Sequence, residues 1–355
     1  MKRIAIIDYG FPEGGIAGVT RNILRYVGEH APETDMLVYT DNPCSRALED
    51  KVDILVECSH HEKDIDKVRK AGIKVIYAEH GMPFHEQWGI IDRRQGGWRR
   101  PWVKRMLWKL IYRKQFEGTD KALNMAMERT ARILDECDVF VVLCENYRKE
   151  IIEKLKPSNP DKIVSIVNPG LTIEKPTFQK EKSILFCGRL SHYDKRPDRL
   201  LRIWQKVQSQ LPDYRLDIVG DGHERERLEN LAKELGLERY TFYGYHSNPE
   251  PFYRKADILC LVSQMEGWPL CLTEAQAHGV IPVAFDCSGG VREILQDGNG
   301  FLVPPYDEDA FAKTLVSVAT MEGKDALRKK LAAAAGKHTA DENGAAWLAL
   351  FKSLV

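Results

Sequence analysis

Residues 258–275 read ILCLVSQMEGWPLCLTEA and contain the clearest sequence pattern in this chain. The stretch begins with a continuous apolar run, which is typical of a strand covered on both faces. A short loop follows, and Pro269 then opens a predicted helix, since proline is favoured in the first helical turn. A buried strand followed directly by a helix is the repeating unit of a parallel, doubly wound α/β sheet.

The same unit recurs on both sides of this stretch, where short apolar runs alternate with charged helical segments. The predicted strands are 4–8, 36–40, 52–58, 73–78, 139–143, 163–167, 184–187, 216–219, 240–243, 258–262, 281–285 and 301–303. Twelve strands are too many for a single sheet in a chain of this length, so the pattern predicts two doubly wound domains.

The predicted division between the domains lies in the segment 168–182, which begins Asn168-Pro169-Gly170 and has the composition of a linker. An apolar segment at 345–351 is expected to cross back and pack on the first domain. We therefore predict a first domain of 1–170 plus a C-terminal helix of about 340–355, and a second domain of 171–339.

Charge and cysteine content exclude several classes of protein. The 52 Lys and Arg residues balance 52 Asp and Glu, which argues against a basic nucleic-acid binder or an acidic disordered tail. No apolar run approaches the ~20 residues of a membrane span, and the N-terminal run is too short for a signal peptide, so we expect a cytoplasmic protein. The eight cysteines form no C-x-x-C pair and are expected to be small buried side chains, not a zinc or disulfide framework.

The loop after the first predicted strand is rich in glycine and includes Gly14 and Gly15. Glycines between a strand and a helix allow the backbone to approach a ligand, and the helix N-terminus favours anions. The loop is neither G-x-G-x-x-G nor a Walker loop, and a tight turn without ligand is the alternative.

Charged residues also follow the strands of the second predicted domain. Arg189 and Lys195 come after the strand 184–187, at the sheet edge where α/β proteins bind ligands, and together they can hold a diphosphate. Two solvated surface cations are the alternative. Glu266 and Glu274 stand on either side of the helix start at Pro269 and can both face a pocket, or Glu274 can merely complement the helix dipole.

The residues from Glu266 to Ala275 resemble the E-x7-E signature of the retaining glycosyltransferases of family 4. The resemblance extends over about 184–303 and includes Gly188-Arg189-Leu190 with Lys195, Phe242-x-Gly244, and the segment from Gly290 through Glu293 to Val303. In the first domain, Gly14-Gly15-Ile16 and Glu79-His80-Gly81-Met82-Pro83 are similar to the family's glycine loop and loop histidine. The resemblance implies the GT-B fold, in which two doubly wound Rossmann-like domains face each other across a cleft.

The resemblance also implies roles for individual residues. Arg189 and Lys195 would hold the donor diphosphate, Glu266 hydroxyls of the transferred sugar, and Glu274 the ribose. His80 would contact the donor sugar. The remaining donor-binding residues implied by the resemblance are Gly14, Gly15, Gly188, Gly267, Trp268, Pro269, Leu270, Cys271, Leu272, Thr273, Gly244, Tyr245 and His246. The family is generally independent of metal, so we expect no metal and no cofactor.

Two features bear on these expectations. Trp268 stands where the family usually has phenylalanine, which leaves the identity of the donor sugar open. Asp64-Ile65-Asp66 imitates a D-x-D metal motif, but it lies in a charged predicted helix, 60–71, and is expected to be a solvated face.

The function implied by the resemblance is transfer of a sugar, with retention, from a nucleotide-sugar (a UDP-sugar above others) to a glycan or lipid-linked acceptor in cell-surface polysaccharide or glycolipid biosynthesis. The leaving phosphate can take the acceptor proton on the same face, or a covalent intermediate can form on Glu266; an inverting enzyme would use His80 as the base. A sugar-nucleotide 2-epimerase of related fold and a non-catalytic nucleotide-sugar binder remain as alternatives.

The segment 93–114 contains nine Lys and Arg, three tryptophans and no acid. On a helix from Pro101 its apolar side chains form one stripe flanked by cations, which suits an anionic membrane surface. A core-facing helix with a solvated basic side is the alternative. A peripheral position on the inner face of the cell membrane would suit a lipid-linked acceptor.

Overall fold

A computed structural model describes residues 2–12, 16–58, 62–84, 120–170 and 178–354. Contacts between residues divide the chain into two compact units, Met1–Ile166 with Trp347–Val355 and Val167–Ala346. The first unit thus ends at Ile166, four residues before the predicted domain boundary at 170. Hydrogen bonds from the segment 167–170 to the second unit account for this difference. Asn343 Nδ2 donates to the carbonyl of Val167 at 2.8 Å, and Gly170 N donates to the carbonyl of His338 at 2.6 Å.

The first unit contains one parallel sheet of six strands in the order β2-β1-β3-β4-β5-β6. Its strands are β1 (Arg3–Ile7), β2 (Asp35–Tyr39), β3 (Ile54–Cys58), β4 (Lys74–Ala78), β5 (Val139–Val142) and β6 (Ile163–Ser165). Its described helices are α1 (Ala17–His30), α2 (Pro43–Glu49), α3 (Ile65–Lys70), α4 (Asp120–Glu136) and α5 (Glu145–Leu155), with a 3-10 turn at Pro160–Lys162.

The second unit contains another parallel sheet of six strands, in the order β12-β11-β10-β7-β8-β9. Its strands are β7 (Ser183–Cys187), β8 (Arg215–Val219), β9 (Tyr240–Gly244), β10 (Ile258–Leu261), β11 (Ile281–Phe285) and β12 (Phe301–Val303). Its helices are α6 (Pro197–Val207), α7 (Arg225–Glu234), α8 (Glu250–Lys255), α9 (Leu270–Ala277), α10 (Gly289–Leu295), α11 (Glu308–Ala319), α12 (Lys324–Ala335) and α13 (Ala340–Leu354), which ends in the first unit; a 3-10 turn lies at Gln296–Gly298.

The strand order of the second unit identifies where a ligand would bind. Read from its other edge, the sheet runs third, second, first, fourth, fifth and sixth, which is the order of a dinucleotide-binding fold. The direction of the connections reverses between β7 and β10, which are hydrogen-bonded neighbours. Ligands in such sheets bind outside the carboxyl ends of the strands at this switch point.

Apolar side chains account for both the strands and the helices. Every residue of β10 and β11 is buried, as expected for strands covered by helices on both faces. Helix α6 places Leu200, Ile203 and Trp204 in the core of the second unit, each no more than 1% exposed. These three positions recur at helical spacing and therefore form one stripe against the sheet.

All twelve predicted strands are present, with ends that differ by at most two residues. The helices differ more. The charged helix predicted over 60–71 is only Ile65–Lys70 in the structure, and Asp64 precedes it, exposed and paired with Lys67 at 2.9 Å. Pro269 lies one residue before α9 instead of inside its first turn, because its ψ of 100° is extended.

Some predictions fall on residues outside the described ranges. Gly14, Gly15 and the basic segment 93–114 are among them. The eight cysteines are all described, and none forms a disulfide. Among the described helices, none has both the length and the apolar composition that crossing a bilayer requires.

Candidate functional site

An ion pair between Lys195 and Glu266 lies at the switch point of the second sheet. Lys195 follows β7 and Glu266 follows β10, and the Lys195 Nζ lies 2.7 and 2.8 Å from the two carboxylate oxygens of Glu266. Ser263 Oγ donates a third hydrogen bond to Glu266 Oε1 at 2.6 Å. Because β7 and β10 are neighbours, two residues 71 positions apart in sequence come into direct contact.

This ion pair is largely removed from water. The side chain of Glu266 is 7% exposed and that of Lys195 is 23% exposed. Burial by itself lowers the pKa of Lys195, but the adjacent Glu266 carboxylate outweighs it, and the pKa of Lys195 is raised above its ordinary value. Lys195 therefore stays charged at neutral pH.

A second cation–acid pair lies beside the first. Arg189 Nη2 donates to Asp194 Oδ2 at 2.8 Å. The Arg189 side chain is 67% exposed, whereas that of Asp194 is 16% exposed. Burial raises the pKa of the Asp194 carboxyl, but the hydrogen bond from Arg189 and the charges of Arg189 and Lys195 outweigh it, so the pKa is lowered and Asp194 is ionised.

Hydrogen bonds hold the loops after β7 and β10 together. Gln264 N donates to the carbonyl of Asp194 at 2.6 Å. Arg199 of α6 donates to the carbonyl of Val262 at 3.2 Å and to Gln264 Oε1 at 2.5 Å. Tyr306 donates its hydroxyl to the carbonyl of Gln264 at 3.0 Å, and its ring lies 4.3 Å from the Arg199 guanidinium carbon. The loop that presents Glu266 is thus fixed from three directions.

Helix α9 places Glu274 near the same charges. Burial raises the pKa of Glu274, while the hydroxyl of Tyr253 lowers it to a smaller extent. Burial also raises the pKa of Cys271, which is further raised by the charges of Glu266 and Glu274 and lowered by that of Lys195. Helix α9 follows the loop that presents Glu266, so Cys271 and Glu274 lie on the element next to the Lys195–Glu266 pair.

The rim beyond β7, β8 and β9 is made of closely packed glycine backbone. Gly188 N donates to the carbonyl of Val219 at 2.9 Å, and Gly220 N donates to the carbonyl of Gly244 at 2.8 Å. A Cβ added to Gly220 would lie 1.9 Å from the carbonyl oxygen of Gly188, and the φ of Gly220 is +133°. A Cβ at Gly222 would likewise lie 2.4 Å from the carbonyl oxygen of Leu190. Only glycine fits at these points.

Trp268 lies at the entry to α9. Its side chain is buried, and its ring meets that of His338 edge-on with centroids 5.3 Å apart. Gly170 approaches the same place, since a Cβ there would lie 3.2 Å from the carbonyl oxygen of His338 and 3.5 Å from Thr273 Oγ1. The tryptophan is thus part of a packed support for the start of α9.

The structure brings most second-unit candidates to one edge of the sheet. Gly188 follows β7, and Gly244 is the last residue of β9. Tyr245 and His246 follow β9, where Tyr245 is 76% exposed. The candidates Gly267, Trp268, Pro269, Leu270, Cys271, Leu272 and Thr273 form the entry and first turn of α9. His80 belongs to the first unit, in the loop after β4 where Glu79 accepts a hydrogen bond from Gly81 N at 2.9 Å.

Sequence reasoning missed Ser263 and Asp194. Ser263 directly follows the predicted strand 258–262, and nothing in its neighbourhood indicates that its hydroxyl holds Glu266. Asp194 directly precedes Lys195, and an acid adjacent to a candidate phosphate-binding lysine was an available signal. Among the described residues, no group of three or more His, Cys, Asp and Glu side chains is arranged to hold a metal ion.

Residues 172–338 match the model of a protein family described as glycosyl transferases group 1. This group 1 region makes up just under half of the chain. The group 1 region contains Arg189, Lys195, Glu266 and Glu274, so the charged site of the second unit lies within it.

Curated relatives resemble part of the chain. An uncharacterized glycosyltransferase of Haemophilus influenzae is 36% identical over 217 residues, which are 60% of this chain and 59% of that protein. The amylovoran biosynthesis glycosyltransferase AmsD of Erwinia amylovora is 34% identical over 164 residues, 46% of this chain and 45% of that one. An undecaprenol-linked glycan α-1,4-N-acetyl-D-galactosaminyltransferase of Campylobacter jejuni is 36% identical over 157 residues, 44% of this chain and 42% of that one. The chain thus spans about half the length of these relatives.

Solved structures match the whole fold. Anabaena Alr3699/HepE in complex with UDP and glucose has a TM-score of 0.72 at 15% identity, covering 99% of this chain and 100% of that one. The lipopolysaccharide outer core galactosyltransferase WaaB has a TM-score of 0.68 at 18% identity with the same coverage. The fold of this chain is therefore that of the GT-B glycosyltransferases, as predicted.

Proposed function

We propose that this chain is a glycosyltransferase that moves a sugar from a UDP-sugar to a glycan or lipid-linked acceptor in cell-surface polysaccharide or lipopolysaccharide biosynthesis. The observation that carries the proposal is the buried Lys195–Glu266 ion pair at the switch point of a sheet within a group 1 region. The names of the relatives favour a cell-surface glycan product, and the complexes of Alr3699/HepE and TarM with UDP favour a uridine donor.

Each charged group of the site has a role in the proposed reaction that agrees with its burial and its hydrogen bonds. Lys195 and Arg189 meet the diphosphate and stabilise the negative charge that grows as it leaves. Glu266 accepts hydrogen bonds from sugar hydroxyls, because Ser263 and Lys195 fix its orientation. Glu274, whose pKa is raised by burial, accepts the ribose hydroxyls, which satisfy a buried carboxylate. Backbone N–H groups at the start of α9 meet the distal phosphate.

A panel of UDP- and GDP-sugars screened by thermal shift tests the donor class. A ligand at 100 times its dissociation constant adds ~2.7 kcal/mol to stability, or about 5–11 °C for a domain of this size. A positive donor is then tested for release of nucleoside diphosphate with and without acceptor glycans. No thermal shift and no release with any sugar nucleotide would refute the proposal.

Variants of the site residues distinguish an enzyme from a protein that only binds the sugar nucleotide. Lys195→Met is expected to lower kcat by about 100- to 1000-fold, because a charge aimed at the transition state is lost. Lys182→Met is the matched control, since Lys182 pairs with Asp213 at 2.7 Å on the surface and precedes β7 at the opposite edge of the sheet. A binder without catalysis would show weaker affinity in Lys195→Met and no turnover to lose.

Retention of the anomeric configuration is part of the proposal and rests on the resemblance of the Glu266–Glu274 segment to retaining enzymes. Proton NMR of the product formed from a UDP-α-sugar reads it directly, because the coupling constant of the anomeric proton differs between α and β products. A β-product would refute retention and favour a base in the first unit, for which His80 is the candidate.

Association with a membrane rests on the sequence of the segment 93–114 alone. We propose a cytoplasmic protein that binds anionic lipid through this segment, each cation adding ~1 kcal/mol near the surface. Liposome flotation compares the wild type with charge reversal at Arg99, Arg100, Lys104 and Arg105. Equal partitioning of the two proteins, or none of the wild type, would refute membrane binding by this segment.

A further inference from the structure

Lys195 and Arg189, the two cations of the proposed site, are each paired with a carboxylate. Lys195 is bonded to Glu266, and Arg189 is bonded to Asp194. A diphosphate that enters this site therefore meets cations whose charge is already balanced. Glu266 has a task toward the sugar in the proposed function, but no step of the proposed reaction uses Asp194.

Asp194 is held in place more firmly than its partner. Its side chain is 16% exposed against 67% for Arg189. Its carbonyl accepts a hydrogen bond from Gln264 N at 2.6 Å, which joins it to the loop that presents Glu266. A ligand that draws Arg189 away from this pair thus leaves a shielded carboxylate behind, next to Lys195.

We propose that Asp194 is an internal counter-ion that competes with the diphosphate for Arg189 and Lys195 and thereby weakens retention of the nucleoside diphosphate product. This inference rests on the proposed function. The free product carries more negative charge than the sugar nucleotide, because its terminal phosphate is no longer esterified. A fixed carboxylate therefore opposes the product more strongly than the donor, and it favours release after transfer.

An orienting role for Asp194 predicts the opposite effect. If the carboxylate served to aim Arg189 at the ligand, its removal would weaken binding. Because the Arg189 guanidinium is 67% exposed, water screens its pair with Asp194, and such a pair contributes only about 0–1 kcal/mol, so little orientation can be lost when it breaks. The Asp194 carboxylate, in contrast, keeps its place near Lys195 whichever way Arg189 turns.

Isothermal titration of UDP into wild type, Asp194→Asn and Asp194→Ser tests the counter-ion. Asparagine keeps an acceptor for Arg189 and removes the charge, whereas serine shortens the side chain as well. Both variants are expected to bind UDP about fivefold more tightly, which corresponds to the upper end of an exposed ion pair. Affinity for the UDP-sugar that gives the largest thermal shift should rise by a smaller factor. The difference from wild type should shrink at high salt.

The matched control is Asp213→Asn, which removes one carboxylate of an exposed pair on the same unit, before β8 and away from the site. It should leave UDP affinity unchanged. In an Arg189→Met background, Asp194→Asn should gain less than it does alone, since one of the two contested cations is gone. Thermal midpoints of all variants verify that each is folded.

Four outcomes decide between the ideas. Tighter UDP binding in both Asp194 variants, with a smaller gain for the sugar nucleotide, supports the counter-ion. Unchanged UDP binding overturns it and leaves the proposed glycosyltransferase standing. Weaker UDP binding also overturns it and assigns Asp194 to orienting Arg189. If wild type binds neither UDP nor any sugar nucleotide, the proposed function fails and this inference falls with it.

Discussion

Removing Lys195 should destabilise the ligand-free protein, because it leaves the Glu266 carboxylate buried without its counter-charge. Breaking a buried ion pair from one side costs about 3–5 kcal/mol. The Lys195 side chain is 23% exposed, so water can partly replace its ammonium group, and Ser263 still donates to Glu266. We therefore expect about 3 kcal/mol for Lys195→Met, or roughly 6–12 °C in the melting temperature of the second unit.

A double-mutant cycle isolates this ion pair from other effects of the substitutions. Glu266→Gln leaves an ammonium group that can reach solvent, and we expect about 1–2 kcal/mol. The double variant Lys195→Met/Glu266→Gln has no charge at either position of the pair and should be more stable than Lys195→Met alone. Its destabilisation should therefore fall about 2 kcal/mol or more short of the sum of the two single changes.

Differential scanning calorimetry of the full chain measures all four proteins, with Lys182→Met as the exposed control at no more than about 1 kcal/mol. The pKa of Lys195 is raised in the folded state, so the stabilisation by its charge is fully present below the ordinary lysine pKa and is lost only as pH rises through the higher folded value. The difference between wild type and Lys195→Met should accordingly stay constant from about pH 6 to 9. Additive effects, or a Lys195→Met as mild as Lys182→Met, would refute the reasoning.

Two further predictions concern the support of the site. Gly220→Ala should destabilise the second unit by more than about 3 kcal/mol and abolish nucleotide binding, since its Cβ would collide with the Gly188 carbonyl and its φ is positive. The control is Gly28→Ala, in α1 with open space around it. This control should stabilise the protein by about 0.5–1 kcal/mol in the same melting assay. His278 stacks on Tyr253, and burial lowers its pKa to about 4, so the neutral ring is favoured and its stabilisation is lost as pH falls from about 6.5 toward 4. His278→Phe should flatten the fall of melting temperature across that range, and an unchanged pH profile would contradict this.

The sequence predicted the strands well because both sheets are parallel and covered on both faces. A strand such as β11, in which all five residues are buried, is apolar along its whole length and stands out against the charged helices. Helix ends were predicted less well, since they depend on backbone angles that residue type only biases. Pro269 is an example: proline is favoured in the first turn of a helix, but the extended ψ of this residue leaves it just before α9.

The partners within the site could not be predicted from the chain. Lys195 and Glu266 were both candidates, but with separate tasks, and only the strand order makes them neighbours. That order depends on where the connection after β9 returns, and no local pattern encodes that return. Asp194 and Ser263 were missed for a different reason, since each meets a partner in its own loop, Arg189 and Glu266 respectively, and residue type does not determine how a loop folds.

The switch point and the glycines Gly188, Gly220 and Gly244 contribute different groups to the same binding edge of the second sheet. Where β7 meets β10, the chain supplies charged side chains, and each is balanced by a carboxylate until a ligand competes for it. At Gly188, Gly220 and Gly244, beyond β7, β8 and β9, it supplies glycine backbone, packed so closely that Gly220 tolerates no Cβ. These three glycines can meet a ligand only through N–H and C=O groups, and hydrogen bonds between the loops fix the positions of those groups. Affinity should accordingly respond to single charges at the switch point, whereas at the rim it should respond to any added atom.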